Sequence, residues 1–404
     1  MKERSAGLRR NPRLLAGYHA LHMTLFPVSI LTLFWKQDIG MSMTEILVVQ
    51  GLFGLVMALF EFPSGYVADR FGYRRTLMAA SGLGLAGWAL YSAADSLEGV
   101  IAAEAVLAVS VSLVSGADSA LLYESLRQTH REPEFGLWNG RVRCWGQTGE
   151  GSAALAAGLL YMWWPPLPFM VQAGVSLLSL GTASLLVEPS REPPEPVAHL
   201  EKIGSMFRYA FVENSRLRAV IGLTVVLGMS SFIPVWLVPL YATGAGVPEA
   251  WIGPIWAAAN YTVAAGSLAS HALARRFGLL SSLGVCIVLV AAGYAGLALT
   301  YGMFGFAWYF CLTLMRGVFG PVLLHEENRL IPSSDRAGFI SMRSLVFRLC
   351  FLGIAPAVGV AIDARGQHWV LAVLGGGLVS AALVAWLCLR RSCGHCVEMS
   401  PGGR

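Results

Sequence analysis

Residues 64–75 read SGYVADRFGYRR, a stretch rich in glycine and arginine that directly follows a long apolar segment. A related stretch, SHALARRFG, occupies residues 270–278 and also follows an apolar segment. Ser, Ala, Arg, Phe and Gly recur in the same register in the two copies. Each copy lies between the second and third apolar segments of one half of the chain. Two similar halves are typical of duplicated transporter folds.

The composition places most of the chain in a membrane. Of the 404 residues, 55% are hydrophobic and only 13% are charged, whereas soluble domains carry about 25% charged residues. The excess apolar length is therefore expected to face lipid. The net charge of +5 comes from loop residues on one side of the membrane, so it indicates no nucleic-acid partner.

The apolar segments predict twelve transmembrane helices, because a bilayer core about 30 Å thick requires about 20 apolar residues per helix. These predicted spans, numbered in chain order, are 14–35, 44–68, 76–94, 97–124, 140–163, 166–187, 217–241, 249–274, 279–300, 303–325, 339–362 and 369–389. The fold class expected is an all-α polytopic membrane protein made of two pseudo-symmetric six-helix bundles.

The basic residues predict the orientation. Of the 29 Lys and Arg residues, 25 lie on the side of the membrane predicted for the N-terminus, either in its segments or within the first five residues of the span that follows. The exceptions are Lys36, Arg365, Arg316 and Arg348. Because cytoplasmic loops carry the excess of basic residues, both termini are predicted to be cytoplasmic in a multi-pass protein of the inner membrane. The N-terminus carries no pattern of a cleavable signal peptide.

The longest hydrophilic stretch divides the spans six and six. The predicted organisation is an N-terminal bundle at 1–187, a cytoplasmic linker at 188–216, a C-terminal bundle at 217–389 and a cytoplasmic tail at 390–404. Proline excludes a helix at the start of the linker. Residues 199–216 regain helical spacing and predict an interfacial helix with a membrane-facing apolar side, or alternatively a soluble tether.

The stretch at 64–75 resembles the signature of the loop between the second and third helices in the major facilitator superfamily. The matching residues are Gly65, Asp69, Arg70, Gly72, Arg74 and Arg75. The resemblance covers essentially the whole chain and implies alternating access by a secondary transporter. In that family the matching residues form a cytoplasmic charge cluster that holds the outward-facing state. The run at 115–124 is similar to an exporter-like branch.

The charge cluster needs partners. Gly65 is expected to allow close helix approach, and Asp69 to lie at the N-terminus of a neighbouring helix. Glu124 is the candidate partner of the cluster in the first half. In the second half, Arg275 and Arg276 are expected to pair with Glu326 or Glu327. Alternatively, these charges serve only as topology determinants.

Two of the carboxylates in the fourth predicted span are candidates for the transport site. Glu104 and Asp118 share one face of a continuous helix, and the family resemblance implies that helices 1, 4, 7 and 10 line the central cavity. Both are candidates for binding a proton or a cationic substrate, since charges within a span cost at least about 2.5–3.5 kcal/mol. The alternative is a pair of permanently ionised carboxylates near the helix ends.

Further candidate charges lie within other predicted spans. Glu150, in the fifth span, is the first candidate for proton coupling, or alternatively forms a structural ion pair with Arg348 or Arg316. Arg316, in the tenth span, favours an anionic substrate if no carboxylate neutralises it. Glu61 either extends the charge cluster inward or is a packed, hydrogen-bonded residue beside Pro63.

Two weaker motifs predict no metal site. His19 and His22 can share a face of the first span, but without a nearby carboxylate or thiolate a hydrogen-bonding role in the cavity is favoured. Cys393 and Cys396 in the tail are interpreted as an incidental reduced pair.

Taken together, these features predict a transporter and no enzyme. The sequence contains no phosphate-binding Gly-x-x-x-x-Gly-Lys motif, no catalytic constellation and no cofactor motif. The expected function is proton-coupled efflux of a small organic compound or drug by a monomer. The alternatives are proton-coupled import of an anionic metabolite, and a non-transporting sensor or assembly protein of the same fold.

Overall fold

A computed structural model describes residues 2–190, 199–331 and 336–398. The regular secondary structure of these described residues is entirely helical, without strands. Compact packing divides the chain into two units, which are an N-terminal unit (Met1–Glu195 with Pro248–Ala257) and a C-terminal unit (Pro196–Val247 with Ala258–Arg404). The boundary after residue 195 falls inside the predicted linker.

The described part of the N-terminal unit contains eight α-helices and the start of another. They are α1 (Lys2–His22), α2 (Leu31–Gln37), α3 (Met43–Phe71), α4 (Tyr73–Ser92), α5 (Leu97–Val114), α6 (Ala117–Arg127), α7 (Phe135–Trp163) and α8 (Leu167–Leu185). Its core lies between α1, α4, α5, α6 and α8, where Tyr18, Leu77 and Leu121 are fully buried.

The C-terminal unit follows a linker helix. Its helices are α9 (His199–Arg208), α10 (Ser215–Gly244), α11 (Ile252–Leu299), α12 (Tyr309–Leu330), α13 (Arg336–Arg365) and α14 (Gln367–Glu398). The first residues of α11 pack in the N-terminal unit. Gly278, with φ 79°, breaks α11 between the predicted eighth and ninth spans.

Each predicted span coincides with helix in the structure. Nine helical segments of the described chain are long and apolar enough to cross a membrane, and one of them, Glu249–Leu299, contains two predicted spans. The third and fifth predicted spans, α4 and α7, fall outside these nine. Their glycine and polar residues keep their mean hydropathy below that of these nine segments.

Two predicted spans are interrupted. The first is divided between α1 and α2 by a 3₁₀ turn at Phe26–Ser29 that contains Pro27. The fourth is divided between α5 and α6 at Gly116, whose φ is +88°. The prediction that Glu104 and Asp118 share the face of one continuous helix is therefore wrong, because Glu104 lies on α5 and Asp118 on α6.

The linker helix packs partly against its own unit. Tyr209, which follows α9, donates a hydrogen bond to the carbonyl of Leu330 at 3.1 Å and packs edge-on against Phe339. Part of the apolar side predicted to face a membrane therefore contacts protein. Residues 191–198, which include most of the proline-rich segment, lie outside the described residues, as do the side chains of Cys393 and Cys396.

Candidate functional site

The two copies of the repeated stretch have the same backbone geometry. Gly72, with φ 116°, separates α3 from α4, and Gly278 breaks α11 at the matching position. Thr76 Oγ1 donates to the Gly72 carbonyl at 2.7 Å, and Ser282 Oγ donates to the Gly278 carbonyl at 2.8 Å. Because a positive φ favours glycine, the duplicated sequence encodes the same sharp break in both halves.

Glu188, which the sequence alone did not single out, lies at the N-terminus of α4. Its carboxylate accepts hydrogen bonds from the backbone N–H groups of Tyr73 at 3.0 Å and Arg74 at 2.8 Å. This is the position where a helix favours an anion. Asp69, predicted for such a position, is exposed near the end of α3. The sequence signal for Glu188 was weak. Only its position just after the sixth predicted span indicated that it lies on the same membrane side as the N-terminus of α4.

The arginines of the motif make local contacts. Arg70 donates to Tyr66 Oη at 2.7 Å, and Arg74 donates to the carbonyl of Ser184 at 2.7 Å. Arg75 is exposed. Gly65 has no neighbour within 4 Å of the position that a side chain would take. The expectation that Gly65 permits a close helix contact therefore has no support in the N-terminal unit.

The predicted partners of both charge clusters bind other arginines. Glu124 forms an ion pair with Arg127 at 2.9 Å, one helical turn away, and not with the motif arginines. In the C-terminal unit, Glu326 binds Arg216 at 2.5 Å and Arg329 at 3.7 Å, while Glu327 binds Arg343. The predicted pairs with Arg275 and Arg276 are absent from the described residues. Helix packing presents nearer cations to these carboxylates.

Asp118 lies beside His19 at the interruption of the first and fourth predicted spans. His19 Nδ1, on α1, is 3.7 Å from Asp118 Oδ2, near the N-terminus of α6. The backbone N–H of Ser119 donates to Asp118 Oδ1 at 2.6 Å. Both side chains keep about a fifth of their surface accessible. The assumption that no carboxylate is near His19 is therefore wrong, because α6 supplies one.

Glycines of α7 bring α1 close to this pair. A methyl group on Gly149 would lie 2.5 Å from the carbonyl oxygen of Ala20, and one on Gly146 would lie 2.6 Å from the His19 ring. Small residues allow such backbone approach between membrane helices. The glycine-rich sequence of the fifth predicted span thus helps to position His19.

Glu104 lies in a separate, closed cluster. Its side chain is 5% exposed, and its carboxyl group accepts hydrogen bonds from Tyr91 Oη and, at 3.4 Å, from Gln50 Nε2. Trp88 and Phe169 stack against Tyr91 and cover it. Among the described residues Glu104 has no cationic partner, so a buried carboxyl group is held only by neutral donors.

The remaining candidate charges are dispersed. Glu150 accepts a hydrogen bond of 3.5 Å from Gln147 one turn earlier on α7. Glu61 is half-buried on α3, and Ser64 Oγ donates to its backbone carbonyl. Arg348 donates to Ser344 Oγ at 3.2 Å on α13. Arg316 is exposed on α12 and forms no ion pair with the described residues of the C-terminal unit. The predicted ion pairs of Glu150 with Arg348 or Arg316 stay predictions.

The Glu188 contact leads to a stability prediction. Replacing Glu188 with alanine should lower the free energy of unfolding by about 1–2 kcal/mol, because two N–H groups at the start of α4 lose their acceptor. Thermal unfolding of the detergent-purified protein measures the effect. Exposed Glu132, replaced in the same way, is the matched control and should change stability little. Equal melting temperatures for the two variants would contradict the capping role.

Comparison with known proteins identifies the family. The family model of the Major Facilitator Superfamily matches residues 14–324. The Methyl viologen resistance protein SmvA of Salmonella typhimurium is 27% identical over 175 residues, which are 42% of this chain and 33% of that protein. The chain thus matches about a third of the length of this curated relative.

Solved transporter structures share the fold. The nucleoside transporter NupG superposes with a TM-score of 0.76 at 13% identity, covering 94% of this chain and 98% of that one. The POT family transporter PepTSo gives a TM-score of 0.76 at 14% identity, covering 95% of this chain and 98% of that one. Because the family model matches most of the chain, this all-α membrane protein belongs to the Major Facilitator Superfamily.

Proposed function

We propose that this transporter exports a small organic compound, with lipophilic cations as the first class to test, in exchange for protons. The observation that carries the proposal is the pair formed by Asp118 and His19 beside two interrupted helices. Interrupted helices are where transporters of related design place their substrate and ion sites. The partial exposure of both side chains leaves the Asp118 carboxylate accessible to a ligand.

The pair of His19 and Asp118 provides a way to exchange protons for an organic cation. A deprotonated Asp118 attracts a cation, whereas a proton on Asp118 removes its negative charge. A proton on His19 instead turns the 3.7 Å contact into an ion pair that occupies the carboxylate. In either case protons and an organic cation compete, so that proton entry favours release of the cation. Glu150 and Glu104 are further candidates for proton binding in this scheme.

The direction of transport is proposed from two supports. The curated relative is named for resistance to methyl viologen, which is an aromatic organic dication, and resistance is consistent with export. The excess of basic residues supports an inner-membrane protein with both termini in the cytoplasm. In that orientation the cluster of Gly65, Asp69, Arg70, Gly72, Arg74 and Arg75 acts as the cytoplasmic gate. We propose that a single chain is sufficient for transport.

A thermal-shift screen at pH 6 and pH 8 tests the proposal. Lipophilic cations should stabilise the purified protein, and more strongly at pH 8, because protons and the cation compete in this exchange and the proton concentration is lower. In the Asp118→Asn variant, cation affinity at pH 8 should fall roughly tenfold, which corresponds to the loss of one attractive charge. Glu98→Gln, an exposed acid at the other end of the fourth predicted span, is the control. Unchanged binding and pH dependence in Asp118→Asn would refute the role of this carboxylate.

Arg316 supports a second candidate function. This arginine is exposed within α12 and lacks an acidic partner among the described residues, and guanidinium groups bind carboxylates and phosphates well. Stabilisation by organic anions alone, abolished in Arg316→Gln, would favour a proton-coupled importer or an exporter of anions. Absence of transport and of any ligand effect would favour a sensor or assembly protein of this fold.

A further inference from the structure

A basic recess lies on α11 of the C-terminal unit, outside the candidate transport site. His271, Ala272, Arg275 and Arg276 line it, and its space is about 300 Å³. The three titratable side chains are all exposed. They lie on successive turns of one helix, just before the break at Gly278. The recess therefore presents a local concentration of positive charge at the end of a transmembrane helix.

The two acids predicted to neutralise this charge are bound elsewhere. Glu326 is held by Arg216 and Arg329, and Glu327 by Arg343. Within the described residues, Arg275 and Arg276 form no ion pair, and the Cζ atom of Arg276 lies 5.4 Å from the centroid of the Phe277 ring. Two adjacent arginines without a carboxylate partner favour an anionic ligand.

An apolar track leads to the recess along the same helix. Tyr261 is 66% exposed and Leu268 is 85% exposed. Together with Arg275 they are spaced seven residues apart, which keeps them on one face of α11. At 1.5 Å per residue, the track from Tyr261 to Arg275 rises about 21 Å, which exceeds half of a bilayer core about 30 Å thick. An apolar face that ends in a cationic recess matches a ligand with a hydrocarbon chain and an anionic head.

We propose that His271, Arg275 and Arg276 bind the phosphate group of an anionic phospholipid, whose acyl chain lies along Leu268 and Tyr261. The planar guanidinium groups suit phosphate because they can donate two parallel hydrogen bonds. Basic pockets at the ends of transmembrane helices recognise lipid head groups in this way. A soluble phosphate would use only the head-group part of the site and would leave the apolar track uncovered.

Thermal unfolding of the full chain in mild detergent tests the proposal with three additives. Phosphatidylglycerol should raise the melting temperature, whereas phosphatidylcholine with the same acyl chains and inorganic phosphate should not. In Arg275→Gln/Arg276→Gln, the phosphatidylglycerol concentration for half of the maximal shift should rise about 30-fold, because each basic residue contributes about a fivefold gain in lipid affinity. Arg275→Lys/Arg276→Lys keeps the charge but lacks the planar guanidinium groups. Its phosphatidylglycerol concentration for half of the maximal shift should lie between those of the unchanged protein and of Arg275→Gln/Arg276→Gln.

Arg390→Gln/Arg391→Gln is the matched control, since it also removes two adjacent arginines near the end of a helix in the same unit. It should leave the phosphatidylglycerol response unchanged. Equal losses in both double variants would mean general surface attraction and would overturn the site. Equal stabilisation by phosphatidylcholine, or by inorganic phosphate at the same concentration, would overturn the assignment of an anionic lipid. An unchanged response in Arg275→Gln/Arg276→Gln would overturn it as well.

Discussion

Gly317→Ala is expected to destabilise the C-terminal unit by about 3 kcal/mol, the upper part of the range for overpacked cores. Gly317 on α12 faces Gly266 on α11, and the two backbones are in direct contact. A methyl group on Gly317 would lie 3.0 Å from the Cα of Gly266 and also against the carbonyl oxygen of Val263. Backbone atoms cannot move aside as a flexible side chain can, so the two helices would have to separate.

Neighbouring contacts make that separation costly. Ser267 Oγ donates to the carbonyl of Gly317 at 3.2 Å, and the hydroxyl groups of Thr262 and Thr313 are hydrogen-bonded to each other. Membrane helices associate through such small residues and through hydrogen bonds, since lipid offers no hydrophobic driving force between them. Gly266→Ala should therefore have a similar effect, because its methyl group would lie 2.5 Å from the carbonyl oxygen of Leu314.

Each helix supplies its own control. Gly320 on α12 and Gly284 on α11 have no neighbour within 4 Å of the position that a methyl group would take. Alanine at either site should leave stability unchanged or raise it slightly, because alanine favours helix more than glycine does. Unfolding of the purified variants in detergent, by heat or by added dodecyl sulfate, measures the difference. If Gly317→Ala and Gly320→Ala have the same stability toward unfolding, α11 and α12 do not cross as closely as the structure shows.

Features encoded locally could be predicted from the sequence. The length of the apolar segments predicted spans that coincide with helix in the structure, and the repeated stretch pointed to the break that the structure shows at Gly72 and Gly278. The interruptions of the first and fourth spans also have local signals, Pro27 and Gly116. Average hydropathy over a whole segment conceals them, because one or two residues barely change the mean.

Contacts between distant helices could not be predicted in the same way. Glu188 and Tyr73 are far apart in sequence, as are His19 and Asp118. Their contacts depend on which helices pack together and on their rotation about their own axes. The sequence identifies a carboxylate that is costly within a membrane. It does not show which of several cations on the same membrane side will reach it, and the wrong partners for Glu124, Glu326 and Glu327 follow from this.

A second repeat relates these carboxylates. Residues 121–127 read LLYESLR and residues 323–329 read LLHEENR, so that Glu124 corresponds to Glu326 and Arg127 to Arg329. Each glutamate pairs with the arginine one turn later. The position of Ser125 is Glu327 in the second copy. Ser125 accepts a hydrogen bond of 2.8 Å from Asn11, whereas Glu327 binds Arg343. The C-terminal unit thus carries a buried ion pair where the N-terminal unit uses neutral groups.

Arg343→Met should therefore cost about 3–5 kcal/mol of stability, because it leaves Glu327 as a buried carboxylate without its partner. The Glu327 side chain is only 1% exposed. Arg127→Met should cost less than about 1 kcal/mol, since Glu124 is 19% exposed and Arg127 is 40% exposed, and water replaces the lost contact. Unfolding in detergent compares the two variants directly.

The double variant Glu327→Met/Arg343→Met shows whether the stability loss in Arg343→Met comes from the unpaired charge or from changed packing. Removing both partners leaves no unpaired charge, and buried pairs replaced by apolar residues are often neutral in stability. The double variant should therefore be more stable than Arg343→Met alone. If it is equally unstable, shape and not charge governs this position. If Arg343→Met and Arg127→Met lower stability equally, burial does not distinguish the two copies. The ion pair between Glu327 and Arg343 then does not stabilise the contact between α12 and α13.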